Sequence, residues 1–114
     1  MGGEAAMTTE LKTASIQDIH LELIRRSSFN NLNGPKVVAD LEQHRDLWRA
    51  VLIDRPSGVD IKLRDLPENH WNVDTLFILA SGKDDDKLEL LAKSWRPDEL
   101  NWIEGKRILS VWWD

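Results

Sequence analysis

The chain contains no cysteine, no tyrosine and no apolar run near the roughly 18 to 20 residues that a membrane span requires. The absence of cysteine excludes disulfides, zinc–thiolate sites and thiol nucleophiles. Residues 1–7 lack the basic start and the apolar stretch of a signal peptide. We therefore expect a cytoplasmic protein that has no membrane partner.

Basic residues are fewer than acidic ones: the chain has 15 Lys and Arg and 20 Asp and Glu, which gives a formal net charge of -5. Nucleic acids and anionic membranes carry charge of the same sign and are usually bound by a basic stripe. The basic pairs Arg25-Arg26 and Lys106-Arg107 are too short to supply one. The charge balance thus argues against nucleic acid as a partner. It would suit a basic partner, although mild acidity is ordinary for cytosolic proteins.

The chain does contain enough apolar sequence for one core. With 114 residues, 41% hydrophobic and 31% charged, it can bury a single core and keep a solvated surface. No repeat or low-complexity tract divides it. We predict a flexible tail over residues 1–14 and one globular domain over residues 15–114.

Helix signals occur at three places. Ser15 can cap a first helix, with Asp18 placed to reach back to the free backbone groups at its start. A second helix begins at Gly34-Pro35, since proline is tolerated in the first helical turn. Asp84 or Asp85 can cap a third helix, which Pro97 would end.

Three segments carry strand signals in the middle of the chain. Residues 48–53 either end the second helix or form a strand, and we favour a strand over Arg49–Asp54 because the run is compact and β-branched. Residues 55–58 form a turn signal, and the alternating segment Val59–Leu63 would complete a hairpin. The clearest strand is Val73–Ala80, because Leu76–Ala80 within it is apolar on both alternating faces, which is typical of a central strand covered on both sides.

The C-terminal residues predict a second hairpin with a defined register. A type II′ turn at Gly105-Lys106 would place Glu104 opposite Arg107. The same register pairs Ile103 with Ile108, Trp102 with Leu109 and Leu100 with Val111. One face is then wholly apolar: Leu100, Trp102, Leu109, Val111 and Trp113. The other face is half polar: Glu99, Asn101, Ile103, Ile108, Ser110 and Trp112. A slip of one residue would mix the two faces, so the register is well specified.

These elements predict an α/β or α+β fold. Two N-terminal helices pack on a small mixed β-sheet that contains a βαβ unit, between Val73 and Val111, and the C-terminal β-hairpin.

Few groups in the sequence are arranged for chemistry. Asp84-Asp85-Asp86 lies at a predicted helix start, where capping explains the charges better than a metal site does. Gly82-Lys83 lacks the glycine spacing of a phosphate loop. His20 and His44 lie beside apolar helix stripes and are expected at the edges of the core. We expect no metal, no cofactor and no catalytic residue.

The remaining candidates are apolar or aromatic residues without a predicted place in the core. His70 and Trp71 lie in a loop, and Trp112 shares the half-polar hairpin face with Ile103 and Ile108. We expect these five residues to bind a partner, either another protein or a second copy of the chain. Intramolecular cover of the same face is the competing interpretation.

Two functional hypotheses follow. The first is a non-enzymatic protein-binding or regulatory module, of which an immunity-type inhibitor with acidic groups over a basic toxin site is one version that fits the size and charge. The alternative is a small acid–base enzyme that uses His70 with a nearby carboxylate such as Asp65, Glu68 or Asp74. An enzyme requires a pocket around His70, whereas a binding module requires an apolar patch with a polar border.

Overall fold

The computed structural model describes residues 11–114 and has a mixed helix-and-sheet fold, as predicted. Its helices are α1 (Ile16–Arg25), α2 (Gly34–Gln43), α3 (Val59–Asp65) and α4 (Asp85–Lys93), with 3-10 turns at Arg45–Leu47 and Leu66–Glu68. Its strands are β1 (Ser28–Phe29), β2 (Leu32–Asn33), β3 (Trp48–Asp54), β4 (Thr75–Ala80), β5 (Glu99–Ile103) and β6 (Ile108–Trp112). Within the predicted tail, residues 11–13 are helical, and residues 1–10 lie outside the described part.

The predicted helix starts are confirmed. The Ser15 hydroxyl accepts a hydrogen bond from the Asp18 backbone N–H, and the Asp84 carboxylate accepts one from Lys87 N–H. Helix α2 begins at Gly34, with the Asn33 side chain as its cap. Each cap satisfies a backbone donor that a helix leaves unpaired in its first turn.

The main sheet has the strand order β3-β4-β6-β5, and every neighbouring pair is antiparallel. The predicted strand over Arg49–Asp54 is correct, and it begins one residue earlier. The prediction of a mixed sheet with a βαβ unit is not confirmed. Strands β4 and β5 point in the same direction, but β6 lies between them, because the C-terminal hairpin inserts its second strand beside β4.

The predicted register of the C-terminal hairpin is confirmed, with Ile103 opposite Ile108, Trp102 opposite Leu109 and Leu100 opposite Val111. The predicted two-residue turn is wrong. Residues 104–107 form a longer connection, closed by a hydrogen bond from Lys106 N–H to the Ile103 carbonyl. Arg107 pairs with Asp85 at the start of α4 instead of with Glu104.

The predicted second strand of the middle hairpin is also wrong, because Val59–Asp65 forms helix α3. Gly58, with φ of +80°, turns the chain at this point, and such a φ is accessible to glycine without strain. Strand β3 instead pairs with β4. None of the residues of α3 is buried, so this helix covers little of the core.

One face of the main sheet packs against α1, α2 and α4. Its two rows of side chains are apolar in all four strands: Ile53, Leu76, Val111 and Leu100, then Val51, Ile78, Leu109 and Trp102. They share a core with residues from the three helices, among them Ile24, Val37, Val38, Leu41, Leu88 and Ala92. We call this the inner sheet face.

Four tryptophans connect the strands, the helices and the turn after α4 through their indole N–H groups. Trp48 donates to the Leu41 carbonyl, and Trp113 donates to the carbonyl of Trp95. Trp95 donates to Asp40, and Trp102 donates to Glu89. Each residue therefore buries apolar surface while its one polar group stays paired.

None of the described helices is both long enough and apolar enough to cross a membrane.

Candidate functional site

The opposite face of the main sheet, which we call the outer sheet face, carries three rows of side chains. The strand register aligns Asp54, Thr75, Trp112 and Glu99 in the first row. The second row is Leu52, Phe77, Ser110 and Asn101, and the third is Ala50, Leu79, Ile108 and Ile103. Seven of these twelve positions are apolar.

Much of this apolar surface is open in the described part of the chain. Leu52 and Ile103 keep 42% and 39% of their surfaces exposed. Phe77, Leu79 and Ile108 are half-buried, whereas their chain neighbours Leu76, Ile78 and Leu109 on the inner sheet face are fully buried. The solvated face of an antiparallel sheet is normally polar. An open apolar face of this kind is typical of an interaction surface.

A shallow depression of about 130 Å³ lies within the outer sheet face. Its lining comes from β3, β4 and β6: Ala50, Val51, Leu52, Phe77, Leu79 and Ile108. Ala50 creates the space, because its methyl group stands in a row of much larger side chains. The depression could receive one aliphatic side chain of a partner.

Polar residues border the apolar positions on one side. Asn101 and Glu99 on β5 are exposed, and Ser110 lies beside Asn101 in the same row. Glu99 has no ion-pair partner among residues 11–114, and neither does Arg49 at the far end of β3. An apolar centre with a polar border is the usual anatomy of a binding surface.

The two edges of the main sheet differ. On β3, the Gln17 side chain donates to the Val51 carbonyl at 2.8 Å and accepts from Val51 N–H at 2.9 Å. His20 Nδ1 accepts from Ile53 N–H at 3.4 Å. Helix α1 thus pairs three backbone groups on the β3 edge: both groups of Val51 and the N–H of Ile53. Among the described side chains, none makes such a bond to the outer edge of β5.

The five residues predicted to bind a partner fall in two places. Ile103, Ile108 and Trp112 lie on the outer sheet face, as the hairpin register requires. His70 and Trp71 lie in the loop that precedes β4. No hydrogen bond, ion pair or cation–π contact in the described structure joins His70 or Trp71 to the other three residues.

The loop around His70 is held by polar contacts. The Asn72 side chain donates to Asp65 and accepts from Arg55, and the His70 backbone N–H donates to the Asp65 carbonyl. Hydrogen bonds from Arg64 and Asn72 lower the pKa of Asp65 to about 2. The carboxylate of Asp65 is therefore committed to the loop structure.

No carboxylate in the described structure lies within hydrogen-bonding distance of the His70 imidazole, which is exposed. Asp74 accepts from Thr75 and faces Arg55. Trp71 is half-buried, with the Lys62 ammonium 5.7 Å from the ring centre, and its indole N–H has no partner among the described groups. These contacts hold the loop in place without forming an acid–base pair.

The acidic run 84–86 serves the fold. Asp84 caps α4, Asp85 pairs with Arg107, and Asp86 is exposed in the first turn. In residues 11–114, no three His, Asp or Glu side chains converge as metal ligands would.

Four residues of the outer sheet face were not singled out from the sequence: Ala50, Leu52, Phe77 and Leu79. For Phe77 and Leu79 the signal is present, because Leu76–Ala80 is apolar on both alternating faces. That pattern predicts a strand covered on both sides, whereas the described structure leaves the second and third rows of the outer sheet face largely open.

No protein-family model, no curated protein and no solved structure shows a significant match to this chain.

Proposed function

We propose that this protein is a non-enzymatic binding module that recognises another protein through its outer sheet face. The supporting observation is the set of open apolar residues on β3, β4 and β6, most clearly Leu52 with 42% of its surface exposed. Leaving apolar surface in water costs about 25 cal/mol per Å², so a partner that covers it gains free energy.

The charge of the chain favours a basic partner. The formal net charge is -5, and Glu99 at the border of the outer sheet face is exposed and unpaired among the described residues. An inhibitor that covers a basic site on its target, as immunity-type proteins do, is one module of this kind. The alternative, an acid–base enzyme built on His70, gains no support from the contacts around that residue.

The test is affinity capture from the native cells with the wild-type chain and three variants of it. Leu52→Lys and Ile103→Lys each place a charge on the outer sheet face, and Leu90→Lys is the matched control because Leu90 on α4 is 66% exposed. We expect wild type and Leu90→Lys to retain a common set of proteins that both outer-face variants lose. Quantitative mass spectrometry measures the retained set.

Circular dichroism and urea unfolding would first establish that all three variants fold. If wild type and all three variants retained the same set of cellular proteins, the proposal would be contradicted. A measurable catalytic activity that His70→Ala abolishes would favour the enzyme instead.

A further inference from the structure

We propose that the open edge of the main sheet, strand β5, binds an extended basic segment of another protein as a fifth strand. In such strand addition, main-chain hydrogen bonds supply affinity and alternate side chains supply specificity. The edge is a surface separate from the outer sheet face, so this inference goes beyond the proposed function. It rests on the free backbone groups of β5, on the open end of the core beside it and on its charges.

Two residues of β5 direct their backbone groups away from the sheet. Trp113 N–H donates to the Asp74 carbonyl, so the odd-numbered residues of β6 bond to β4 and the even-numbered ones to β5. Asn101 is opposite Ser110 and therefore bonds to β6. The residues on either side of it present their N–H and carbonyl groups at the open edge: Leu100 and Trp102. No turn or loop of the described chain bonds to these groups.

The apolar core is closed at the β3 edge of the sheet and open at the β5 edge. On the inner sheet face, Val51 and Ile53 of β3 lie next to α1 and keep only 4% and 0% of their surfaces exposed. The same two rows end on β5 at Leu100 and Trp102, which are only half-buried. A fifth strand with apolar side chains opposite these two residues would cover the rest of their surface, and that burial is favourable.

Strand β5 lacks the usual features that prevent strand addition. Proteins commonly protect an open edge with proline, with lysine or with a β-bulge. Residues Glu99–Ile103 contain no proline and no lysine, and all five pair with β6 in regular register. The one charged side chain within the strand is that of Glu99, which would repel an acidic segment and attract a basic one.

Acidic residues lie at both ends of β5. Asp98, Glu99 and Glu104 are exposed, and none of them forms an ion pair among residues 11–114. The nearest basic residues in the sequence, Arg96 and Lys106, lie beyond the two ends of this segment. Complementary charge across an interface favours the right partner and disfavours the wrong one. We therefore expect basic residues at both ends of the added strand.

The same carboxylates disfavour a second copy of this chain as the fifth strand. Antiparallel pairing of all five β5 residues with those of another copy is centred on Asn101. Asp98 of each copy would then lie opposite Glu104 of the other, just beyond the ends of the strand. Like charges in directly opposite positions are destabilising. A basic segment of a different protein avoids this repulsion.

The probe is the synthetic peptide Lys-Lys-Val-Thr-Val-Lys-Lys, about 23 Å long when extended, which is titrated into the full-length protein. Its valines would lie opposite Leu100 and Trp102, and its lysines beside the acidic ends of β5. Antiparallel pairing, as in the rest of the sheet, directs the valine N–H groups towards β5 and the threonine N–H away from it. Backbone amide chemical shifts give the affinities and locate the contact.

Three modified peptides separate the contributions to binding. In the first, both valine amides are N-methylated, which removes the donors that face β5 and keeps every side chain. The matched control carries its two N-methyl groups on the threonine and on the lysine that follows the second valine, whose amides face away from β5. The third peptide has glutamate in place of every lysine.

We expect the parent peptide to bind at least about tenfold more tightly than the valine-methylated and glutamate peptides, a difference of about 1.4 kcal/mol. The matched methylated control should bind like the parent. Hydrogen exchange of the Leu100 and Trp102 amides should slow in the complex, whereas the Asn101 amide, which already bonds to β6, should change little.

Two double variants of the protein test the charges. Glu99→Lys with Glu104→Lys should weaken binding of the parent peptide at least about tenfold, because each substitution replaces an attraction by a repulsion. Asp60→Lys with Glu68→Lys makes the same change in net charge at exposed positions of α3 and of the turn after it, and should leave the affinity unchanged. Circular dichroism establishes that both variants fold.

If the parent peptide does not bind, or if the valine-methylated peptide binds equally well, the inference is wrong. Tighter binding of the glutamate peptide would contradict the basic character of the partner. A concentration-dependent dimer that the peptide dissociates would assign the edge to a second copy of the chain. If Leu52→Lys abolishes peptide binding and the shifted amides belong to β3 and β4, the contact lies on the outer sheet face and the inference about β5 fails. The proposed function is tested separately, by cellular capture with the outer-face variants.

Discussion

Gly34 shows how one residue sets the distance between two helices. A Cβ atom at this position would lie 1.9 Å from the Ile24 carbonyl oxygen and 2.5 Å from that of Ser27. Both atoms belong to the backbone at the end of α1, so no side chain can rotate away to make room. The Gly34 N–H also donates to the Ser27 carbonyl, which holds the start of α2 against α1.

We expect Gly34→Ala to lower the free energy of unfolding by about 3 kcal/mol, because the two backbones must separate to admit the methyl group. Gly105→Ala is the control. Gly105, unlike Gly34, has a positive φ, of 72°, and a Cβ atom there would contact nothing within 4 Å. Its cost should be about 1–2 kcal/mol from the backbone conformation alone. Urea denaturation compares the two, and equal losses would contradict the close approach of the helices.

The adjacent residues Trp112 and Trp113 face opposite sides of the sheet. Trp113 is fully buried and bonded to the Trp95 carbonyl, whereas Trp112 is half-buried on the outer sheet face. We expect Trp113→Ala to cost about 3–5 kcal/mol by leaving a cavity, and Trp112→Ala to cost less. Chemical denaturation of both variants measures the difference. The reverse order would mean that the hairpin register is wrong.

Trp113 was predictable from the sequence because the hairpin register assigns it to a face on which every other residue is apolar. Gly34 was predictable only as a helix start, since nothing in the sequence shows which backbone atoms lie beside it. The sequence points to His70 as an acid–base candidate because three carboxylates lie near it in the chain. In the structure, the Asp65 carboxylate accepts hydrogen bonds from Arg64 and Asn72. The Asp74 carboxylate accepts one from Thr75 and pairs with Arg55.

At the scale of secondary-structure elements, α1 protects an edge strand. The Gln17 amide bonds both backbone groups of Val51, so β3 ends the sheet without unpaired groups at that residue. Proteins commonly cover or block such edges, because an open edge invites pairing with another chain.

We expect Gln17→Ala to lower the free energy of unfolding by about 1–3 kcal/mol, because it leaves the N–H and carbonyl of Val51, a buried residue, unpaired. Hydrogen exchange of the Val51 amide should accelerate in this variant. Gln43→Ala removes an exposed glutamine at the end of α2 and should change neither quantity. Protection of the Val51 amide equal to wild type would show that Gln17 does not hold the edge.

Helix α3 illustrates why short segments are difficult to assign from sequence. Apolar and polar residues alternate over Val59–Leu63, which fits a strand. However, Val59, Leu63 and Leu66 also recur at helical spacing. The three side chains remain exposed in the structure, so burial does not identify the helix either. Longer apolar segments are easier to assign, because their apolar residues repeat often enough to fit either the two-residue period of a strand or the 3.6-residue period of a helix, and not both.

At the scale of the whole molecule, helices and sheet form two layers, and the two faces of the sheet differ in cover. Leu52 and Ile53 are adjacent, but Leu52 is exposed on the outer sheet face and Ile53 is fully buried on the inner one. The sequence predicts apolar residues on both faces of this region. It does not specify which face the helices cover, because that depends on how the connections cross the sheet.

We expect Ile53→Ala to cost about 2–5 kcal/mol through the cavity it leaves, and Leu52→Ala to cost less than about 1 kcal/mol. Urea denaturation at neutral pH measures both. Similar losses would mean that a third layer covers the outer sheet face in the full-length protein. The isolated chain would then have no free apolar face to offer a partner.

The unequal edges of the sheet limit how molecules of this protein could polymerise. Fibrous growth by strand addition needs two free edges on each subunit, one for the preceding molecule and one for the next. Helix α1 blocks the β3 edge at Val51 and Ile53, so β5 is the edge of the main sheet that remains open to another strand in the described structure. Two copies that joined through β5 would saturate each other, and the chain of subunits would stop at a pair.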